Sequence, residues 1–198
     1  MRAKMKTTRL EAFSDGVLAI IITIMVLELK VPHATELAAL KPMLPVLLSY
    51  VLSFIYLGIY WNNHHHLFQA AKEVSGGILW ANLHLLFWLS LFPFTTGWMG
   101  QNHLAPTPTA VYGFVLLMAA IAYYILQRTI IAKEGRKSIV ASAVGFDWKG
   151  KLSPVLYFIA IPLAFVNSWI AGGLYVLGAL VWLIPDPRIE RELEKREK

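Results

Sequence analysis

One stretch of the sequence decides the fold, because a charged opening runs directly into a long apolar segment: Arg9-Leu10-Glu11-Ala12-Phe13-Ser14-Asp15-Gly16-Val17-Leu18-Ala19-Ile20-Ile21-Ile22-Thr23-Ile24-Met25-Val26-Leu27. The apolar part has the length and character of a helix that crosses a bilayer. An ionised side chain near mid-bilayer costs about 2.5–3.5 kcal/mol, so such groups are usually paired, turned towards protein or in contact with water. We therefore expect this helix to work inside an assembly rather than as a plain anchor.

The composition of the 198-residue chain is that of an integral membrane protein. Hydrophobic residues make up 57% of the chain, charged residues only 15%, and the mean hydropathy is +0.56. A soluble domain carries about 25% charged residues. The chain has no cysteine, which excludes disulfides, thiolate catalysis and cysteine-ligated zinc. The net charge of +6 fits either nucleic acid or a membrane surface, and its distribution along the chain favours the membrane.

Six apolar segments are candidates for transmembrane helices, and no linker or second domain separates them. We predict one all-α transmembrane domain over residues 1–198. Its helices span approximately residues 7–29, 43–67, 77–100, 110–131, 152–166 and 168–184, and a charged cytoplasmic tail follows over 185–198. Pro93 predicts a kink in the third helix. The last two helices meet near Asn167 and Ser168, which predicts a tight helical hairpin.

The basic residues orient this domain. With the N-terminus in the cytoplasm, sixteen of the eighteen lysines and arginines fall on the cytoplasmic side, and only Lys30 and Lys41 fall outside. This bias predicts that both chain ends are cytoplasmic. Glu11 and Asp15 interrupt the first apolar segment, so we expect it to be a retained span rather than a cleaved signal peptide.

A stripe of four residues shares one face of the first helix. Ile20, Thr23, Ile24 and Leu27 lie at i, i+3, i+4 and i+7, and Phe13 and Gly16 continue the stripe towards the cytoplasm. In a soluble protein this would be a core stripe, whereas in a membrane protein both lipid-facing and core-facing surfaces are apolar. Thr23 is expected to bond the carbonyl four residues earlier.

Arg9 and Asp15 are too far apart around the helix for a simple i, i+4 ion pair. Each is therefore expected to find partners on neighbouring helices, with Ser14 able to cap or bridge. Two interpretations of this polar cluster stay open. It fixes the register of the helices, or it couples an ion path to helix packing.

The second helix ends in a histidine triplet, His64-His65-His66. Consecutive residues on a helix point about 100° apart, so these rings cannot converge on one metal as the i, i+4 pair of H-E-x-x-H does. We expect His64 or His65 to hydrogen-bond into the Arg9 and Asp15 cluster instead. Asn82 and His84 on the third helix lie near the same level, so three helices are predicted to bring polar groups into one layer.

The residues of the first helix resemble the prokaryotic branch of the lysosomal potassium channel family, the transmembrane protein 175 type. The resemblance is carried by Arg9-x-x-x-Phe13-Ser14-Asp15-Gly16 and the following apolar run. It continues at Trp61-x-x-His64-His65-x-Leu67-Phe68 and at Pro93-Phe94-x-Thr96. Six spans in about 200 residues match one repeat of that family.

The resemblance implies a homotetramer in which the first helix of each subunit lines a central cation pore. The implied constriction is formed by Ile20, Ile24 and Leu27, with Thr23 as a polar ring that contributes to selectivity. The motif residues Arg9, Phe13, Ser14 and Asp15 would support packing and gating. The implied partners of that motif are Trp61, His64, His65, Asn82 and His84.

The predicted function is a potassium-permeable channel of a prokaryotic plasma membrane, with modest selectivity over sodium because hydroxyls coordinate ions more weakly than a carbonyl cage does. The permeant ion would be its only ligand, without enzymatic activity, cofactor, bound metal, soluble ligand or nucleic acid. The main alternative is a proton channel or proton-coupled transporter that uses Asp15, His64 and His65 as a relay. A membrane enzyme with a histidine-bound metal and a passive assembly scaffold also stay open.

Overall fold

A computed structural model describes residues 7–135, 138–144 and 148–183 of the chain. These residues form α-helices joined by short connections. The helices are α1 (Thr7–Leu27), α2 (Leu44–Ala70), α3 (Gly76–Ser90), α4 (Phe92–Gln101), α5 (Pro106–Glu134), α6 (Ile139–Val144), α7 (Trp148–Val166) and α8 (Ser168–Leu183), and a 3-10 helix (Leu37–Met43) precedes α2. The charged tail predicted over 185–198 lies outside the described residues.

The ends of the predicted spans agree with those of the helices to within about one helical turn. Two short elements were not predicted, since the 3-10 helix and α6 fall in stretches that the sequence assigns to connections. The tight hairpin between the last two spans is confirmed. Asn167 alone separates α7 from α8, and its side-chain Oδ1 accepts a hydrogen bond of 3.0 Å from the backbone N–H of Trp169.

The third predicted span is one apolar stretch, Gly76–Gln101, which is interrupted at Leu91 because α3 ends at Ser90 and α4 begins at Phe92. Pro93 has no backbone N–H and its ring conflicts with the carbonyl four residues earlier, which interrupts the helical ladder at Leu91. The backbone N–H of Leu91 bonds instead to the carbonyl of Trp88, three residues back.

Five stretches of the described residues are long and apolar enough to cross a membrane. They are Thr7–Leu27, Leu37–Ala70, Gly76–Gln101, Pro106–Glu134 and Lys149–Val166. The helix Ser168–Leu183 is apolar but has only 16 residues, which corresponds to about 24 Å against a hydrocarbon core of about 30 Å. The chain is a multi-helix membrane protein, and the sixth crossing stays a prediction.

The packing of the helices sets α1 apart from the rest of the subunit. The helix α5 packs against α3, α4, α7 and α8, whereas α1 packs against α2, α3 and α4. Small residues bring α5 and α8 together, since a Cβ atom at Gly113 would lie 2.0 Å from the Tyr175 hydroxyl oxygen. That hydroxyl donates to the carbonyl of Thr109 at 3.1 Å. The helix α1 is therefore fixed on one side only.

Candidate functional site

The predicted stripe on α1 lies on the side of the helix that no other helix covers among the residues that the structure describes. Ile20 is 59% exposed, Ile24 is 44% exposed and Leu27 is 79% exposed, and Thr23 is exposed beside them. Phe13, nearer the start of the helix, is exposed too. A core role for this stripe within the subunit is therefore wrong. Its side chains are free to face a pore, a second subunit or lipid.

The opposite side of α1 is buried along its whole length. The buried residues recur every three or four positions, and they are Leu10, Ser14, Leu18, Ile21 and Met25. This spacing keeps them on one face, which is the face that α2, α3 and α4 cover. The helix thus has one anchored face and one uncovered face, although nearly all of its middle residues are apolar.

Thr23, the hydroxyl of the uncovered face, bonds within its own helix. Its Oγ1 donates to the carbonyl of Ile20 at 2.9 Å. The expected acceptor four residues back is wrong, because the bond reaches three residues back instead. A threonine hydroxyl has one proton and two lone pairs, so the proton is used by the helix while lone pairs remain available on the oxygen.

A buried chain of hydrogen bonds anchors the start of α1. The Asn82 side-chain amide donates to Ser14 Oγ at 2.9 Å, and Ser14 Oγ donates to the carbonyl of Leu10 at 2.9 Å. His64 Nε2 lies 2.8 Å from Asn82 Oδ1, so this ring nitrogen carries the proton and donates. All three side chains are buried. The chain joins α1, α2 and α3 through one polar layer.

Asp15 faces a different partner from Ser14. The indole N–H of Trp61 donates to Asp15 Oδ1 at 3.0 Å on the exposed side of the contact between α1 and α2. The His65 ring stacks on Trp61, with ring centroids 6.1 Å apart and planes 15° apart. The Gln69 side-chain amide and His65 Nε2 are 2.9 Å apart. Trp61 therefore takes the position at Asp15 that the sequence offered to His64 or His65, while His64 reaches Ser14 of the same cluster through Asn82.

Two of the predicted motif residues do not take part in these contacts. His84 accepts a hydrogen bond of 2.9 Å from the indole N–H of Trp88 on its own helix, and its role as a motif partner stays a prediction. Arg9 is exposed, and it forms no ion pair with Asp15 within the described part of the chain. The histidines diverge towards separate partners. Over residues 7–135, 138–144 and 148–183, no three His, Asp or Glu side chains come together as a metal site requires.

A second line of polar side chains, which was not predicted from the sequence, lies behind the middle of α1. Thr96 Oγ1 and Ser53 Oγ are 2.7 Å apart, and Ser53 Oγ lies 3.0 Å from the Tyr112 hydroxyl. Thr96 also approaches the Met25 sulfur at 4.0 Å. These hydroxyls are buried, and they link the anchored face of α1 to α2, α4 and α5. The signal in the sequence was a hydroxyl residue near the middle of each of two apolar helices.

At the far end of α1, Glu28 lies against α4. A Cβ atom at Gly97 would lie 3.2 Å from Glu28 Oε2, so the missing side chain at Gly97 makes room for the carboxylate. The Gln101 side-chain amide donates to the same oxygen at 3.3 Å. Both ends of α1 are thus held by polar contacts on its packed side, which leaves the stripe between them uncovered.

Comparison with known proteins identifies the family. The family model described as the endosomal/lysosomal potassium channel TMEM175 matches residues 9–93. A potassium channel of Chryseobacterium sp. is 58% identical to this chain over 187 residues, which is 94% of this chain and 97% of that protein. The chain belongs to the TMEM175 family. The resemblance predicted from the sequence is therefore confirmed, and the family is one of ion channels rather than of enzymes.

The fold agrees with a solved TMEM175 homologue. The crystal structure of a lysosomal potassium-selective channel TMEM175 homolog from Chamaesiphon minutus matches with a TM-score of 0.79 at 28% identity, covering 91% of this chain and 97% of that one. A more distant relative, the endosomal/lysosomal proton channel TMEM175 of Danio rerio, is 26% identical over 132 residues, which is 64% of this chain and 24% of that protein.

The match to the TMEM175 family model covers α1, α2, α3 and the first residues of α4. Every predicted site residue lies in this range, from Arg9 to His84. The anchored face, the uncovered stripe and the two polar contacts at the start of α1 are all contained in it. The helices α5, α7 and α8 lie outside the residues that the family model matches.

Proposed function

We propose that this chain is the subunit of a potassium-permeable channel, a homotetramer in which four copies of α1 line the pore. Ile20, Ile24 and Leu27 form its constriction, and Thr23 forms a polar ring between them. The bacterial relatives named above as potassium channels support this function. The observation that carries the pore assignment is the uncovered stripe on a helix whose opposite face is anchored throughout.

The chemistry of the stripe fits a gate without a carbonyl filter. Four isoleucine side chains around an axis make an apolar neck that excludes ions by dewetting and opens by a small widening. The Thr23 hydroxyl donates to the carbonyl of Ile20, so its oxygen lone pairs are free to replace part of a hydration shell. Four such hydroxyls are a weaker cage than stacked carbonyl rings, so the expected selectivity over sodium is modest.

The orientation of the subunit in a prokaryotic plasma membrane belongs to the same proposal. The bias of sixteen basic residues to one side assigns the start of α1 to the cytoplasm. The Ser14, Asn82 and His64 chain then lies at the cytoplasmic end of the pore helix, and Glu28 lies at the outer end. The packed side of α1 thus has a polar anchor near each end of the helix.

The test is ion flux in proteoliposomes, with potassium and sodium gradients compared. Wild type is expected to favour potassium, and Ile20→Asn is expected to raise flux severalfold because a hydrated side chain keeps the neck wet. The matched control is Val26→Asn, which places the same amide at an exposed position of α1 outside the stripe. Equal flux changes for the two variants would contradict the pore assignment.

Proton conduction is the second candidate, and the name of the Danio rerio relative favours it. The contacts at the start of α1 do not favour a relay through Asp15 and the histidines. Asp15 accepts from Trp61, and an indole nitrogen donates but does not accept a proton. His64 bonds to Asn82 instead. The same liposomes decide the question, because a proton channel carries current under a pH gradient alone while a potassium channel does not.

A further inference from the structure

A cavity of about 40 Å³ with a mainly apolar wall and a few polar groups lies between α2, α5, α7 and α8, and α1 contributes no residue to it. About 10–15 Å³ of such space holds one water, so the cavity accepts about three waters or one small polar group. We call it the chamber. Its polar lining includes Tyr60, Asn63, Tyr124, Gln127, Ser153 and Trp182. Nothing in the channel mechanism uses this part of the subunit.

Gln127 is the residue of the chamber wall that most clearly indicates a bound ligand. This side chain is only 6% exposed and lines the chamber, yet its amide forms no hydrogen bond within the part of the chain that the structure describes. The Tyr60 hydroxyl, also in the wall, has no hydrogen bond to the described residues either. Buried polar groups are nearly always satisfied, so an unpaired amide in a cavity indicates a ligand or bound solvent.

Several other polar groups of the wall are hydrogen-bonded within the protein. The indole N–H of Trp182 donates to Ser153 Oγ at 2.6 Å, and the Tyr123 hydroxyl donates to the carbonyl of Asn63 at 3.1 Å. The Gln127 amide and the Tyr60 hydroxyl are therefore available to a ligand, together with the exposed hydroxyl of Tyr124, and all three can donate a hydrogen bond. Donors of this kind favour a ligand rich in acceptor oxygens.

One basic side chain, that of Arg128, lies beside the wall of the chamber. Arg128 follows Gln127 in the sequence, and its guanidinium carbon lies 5.7 Å from the ring centroid of Tyr124, a residue of the wall. On the other side, the wall residue Gly150 lies between Lys149 and Lys151 in the sequence. Basic pockets between transmembrane helices on the cytoplasmic side are suited to anionic lipid headgroups. The proposed orientation assigns this end of the bundle to the cytoplasm.

An open groove of about 280 Å³ adjoins the chamber along α2 and the end of α8. The two share Ile59, Asn63 and Trp182 in their linings. The rest of the groove is mainly apolar and includes Phe54. A Cβ atom at Gly58 would meet no atom of the described residues within 4 Å, so the space above Gly58 is open in this part of the structure. The groove therefore offers a largely apolar surface that leads to the polar groups of the chamber wall.

We propose that the chamber and the groove together bind an anionic phospholipid. The phosphate oxygens accept from Gln127 and Tyr60 near Arg128, and an acyl chain lies along the groove beside Gly58. A free phosphate would satisfy the chamber but has no use for the apolar groove, which is why the source of the phosphate is a lipid. The proposal rests on the orientation given above but not on ion conduction, since binding is measured without flux.

The test is native mass spectrometry of the delipidated protein after incubation with phosphatidylglycerol or phosphatidylcholine. Wild type is expected to retain phosphatidylglycerol preferentially. The double variant Gln127→Leu with Arg128→Gln is expected to lower its retention about tenfold, because hydrogen bonds to a charged group are lost. Lys133→Gln is the matched control, since it removes the same charge from an exposed position of α5 that does not line the chamber.

A second variant tests the groove without changing the polar groups. Gly58→Leu fills open space, so it is expected to fold and to lower phosphatidylglycerol retention by blocking the chain. Retention that is indifferent to Gln127, Arg128 and Gly58 would overturn the proposal. Stabilisation of the lipid-free protein by inorganic phosphate, lost in the double variant, would overturn the lipid as the source. Equal retention of the two lipids would overturn recognition of an anionic headgroup.

Discussion

The two faces of α1 have similar composition and opposite surroundings. Leu18 on one face is 2% exposed, whereas Ile24 on the other is 44% exposed. Each face also carries one hydroxyl that bonds a carbonyl of its own helix. The hydroxyl of Ser14 accepts a further bond from Asn82, while the hydroxyl of Thr23 is exposed. The Ser14 hydroxyl therefore contributes to helix packing, whereas the Thr23 oxygen remains available to an ion.

This difference shows that hydropathy cannot assign the faces of a membrane helix. In water an apolar stripe points to the core, but lipid is as apolar as a leucine side chain, so burial gives no preference between them. Specific contacts decide instead. The bonds at Ser14 and the contact of Glu28 with Gln101 fix the rotation of α1 about its axis, and the stripe faces outward as a result.

The largest expected effect comes from truncating each face in turn. Leu18→Ala should lower the free energy of unfolding by about 2–4 kcal/mol, because it leaves a cavity where α1 packs on its neighbours. Ile24→Ala should change it by less than about 0.5 kcal/mol, as is usual for uncovered positions. Thermal unfolding in detergent measures both. An equal loss at Ile24 would mean that the stripe packs in an interface rather than beside a pore.

The anchored face should next be sensitive to the loss of Asn82. In Asn82→Leu the buried His64 N–H has no acceptor, which should cost roughly 1–3 kcal/mol. Thermal unfolding is again the measurement. The matched control is Asn102→Leu, since Asn102 is exposed at the end of α4 and bonds only a nearby carbonyl. Equal stability of the two variants would show that the buried chain contributes little to the fold.

A smaller effect separates the two hydroxyls. Ser14→Ala should destabilise the protein by about 1 kcal/mol, because the Asn82 amide loses its acceptor. Thr23→Val should leave stability nearly unchanged, since its bond lies within one exposed turn. In flux measurements the order should reverse. Thr23→Val should lower the preference for potassium over sodium while Ser14→Ala keeps it, and the opposite order would contradict the polar ring.

The sequence was sufficient to predict the helices and the stripe, because both follow from the chain's own periodicity. It was not sufficient to predict which neighbour meets which polar residue. Ser14 and Asp15 are adjacent and point about 100° apart, so one meets Asn82 and the other meets Trp61. On α2, His64 bonds to Asn82 whereas Trp61 bonds to Asp15. These pairings depend on the rotation of one helix against another, which no single helix encodes.

The interruption at Leu91 and the chamber are two further features that the sequence alone could not predict in full. Pro93 predicted a disturbance in the third span. Whether the helix bends or is interrupted for one residue depends on how the following turn packs. In the sequence, Gln127 is a single polar residue near the end of an apolar helix. Its meaning depends on α2, α7 and α8 surrounding it without giving it a hydrogen bond, and that is a property of the assembled bundle.

The smallest expected effect is that of Asp15→Asn, and it decides between conduction and a proton relay. An asparagine Oδ1 still accepts from the Trp61 indole, so stability should change by less than about 0.5 kcal/mol and potassium flux should persist. Trp61→Phe is the companion variant, because it removes the donor and keeps the aromatic surface under His65. A channel tolerates the first change and shows altered gating with the second. A relay stops with Asp15→Asn alone, since an amide cannot release and regain a proton, so complete loss of flux in that variant would contradict the pore and favour proton coupling.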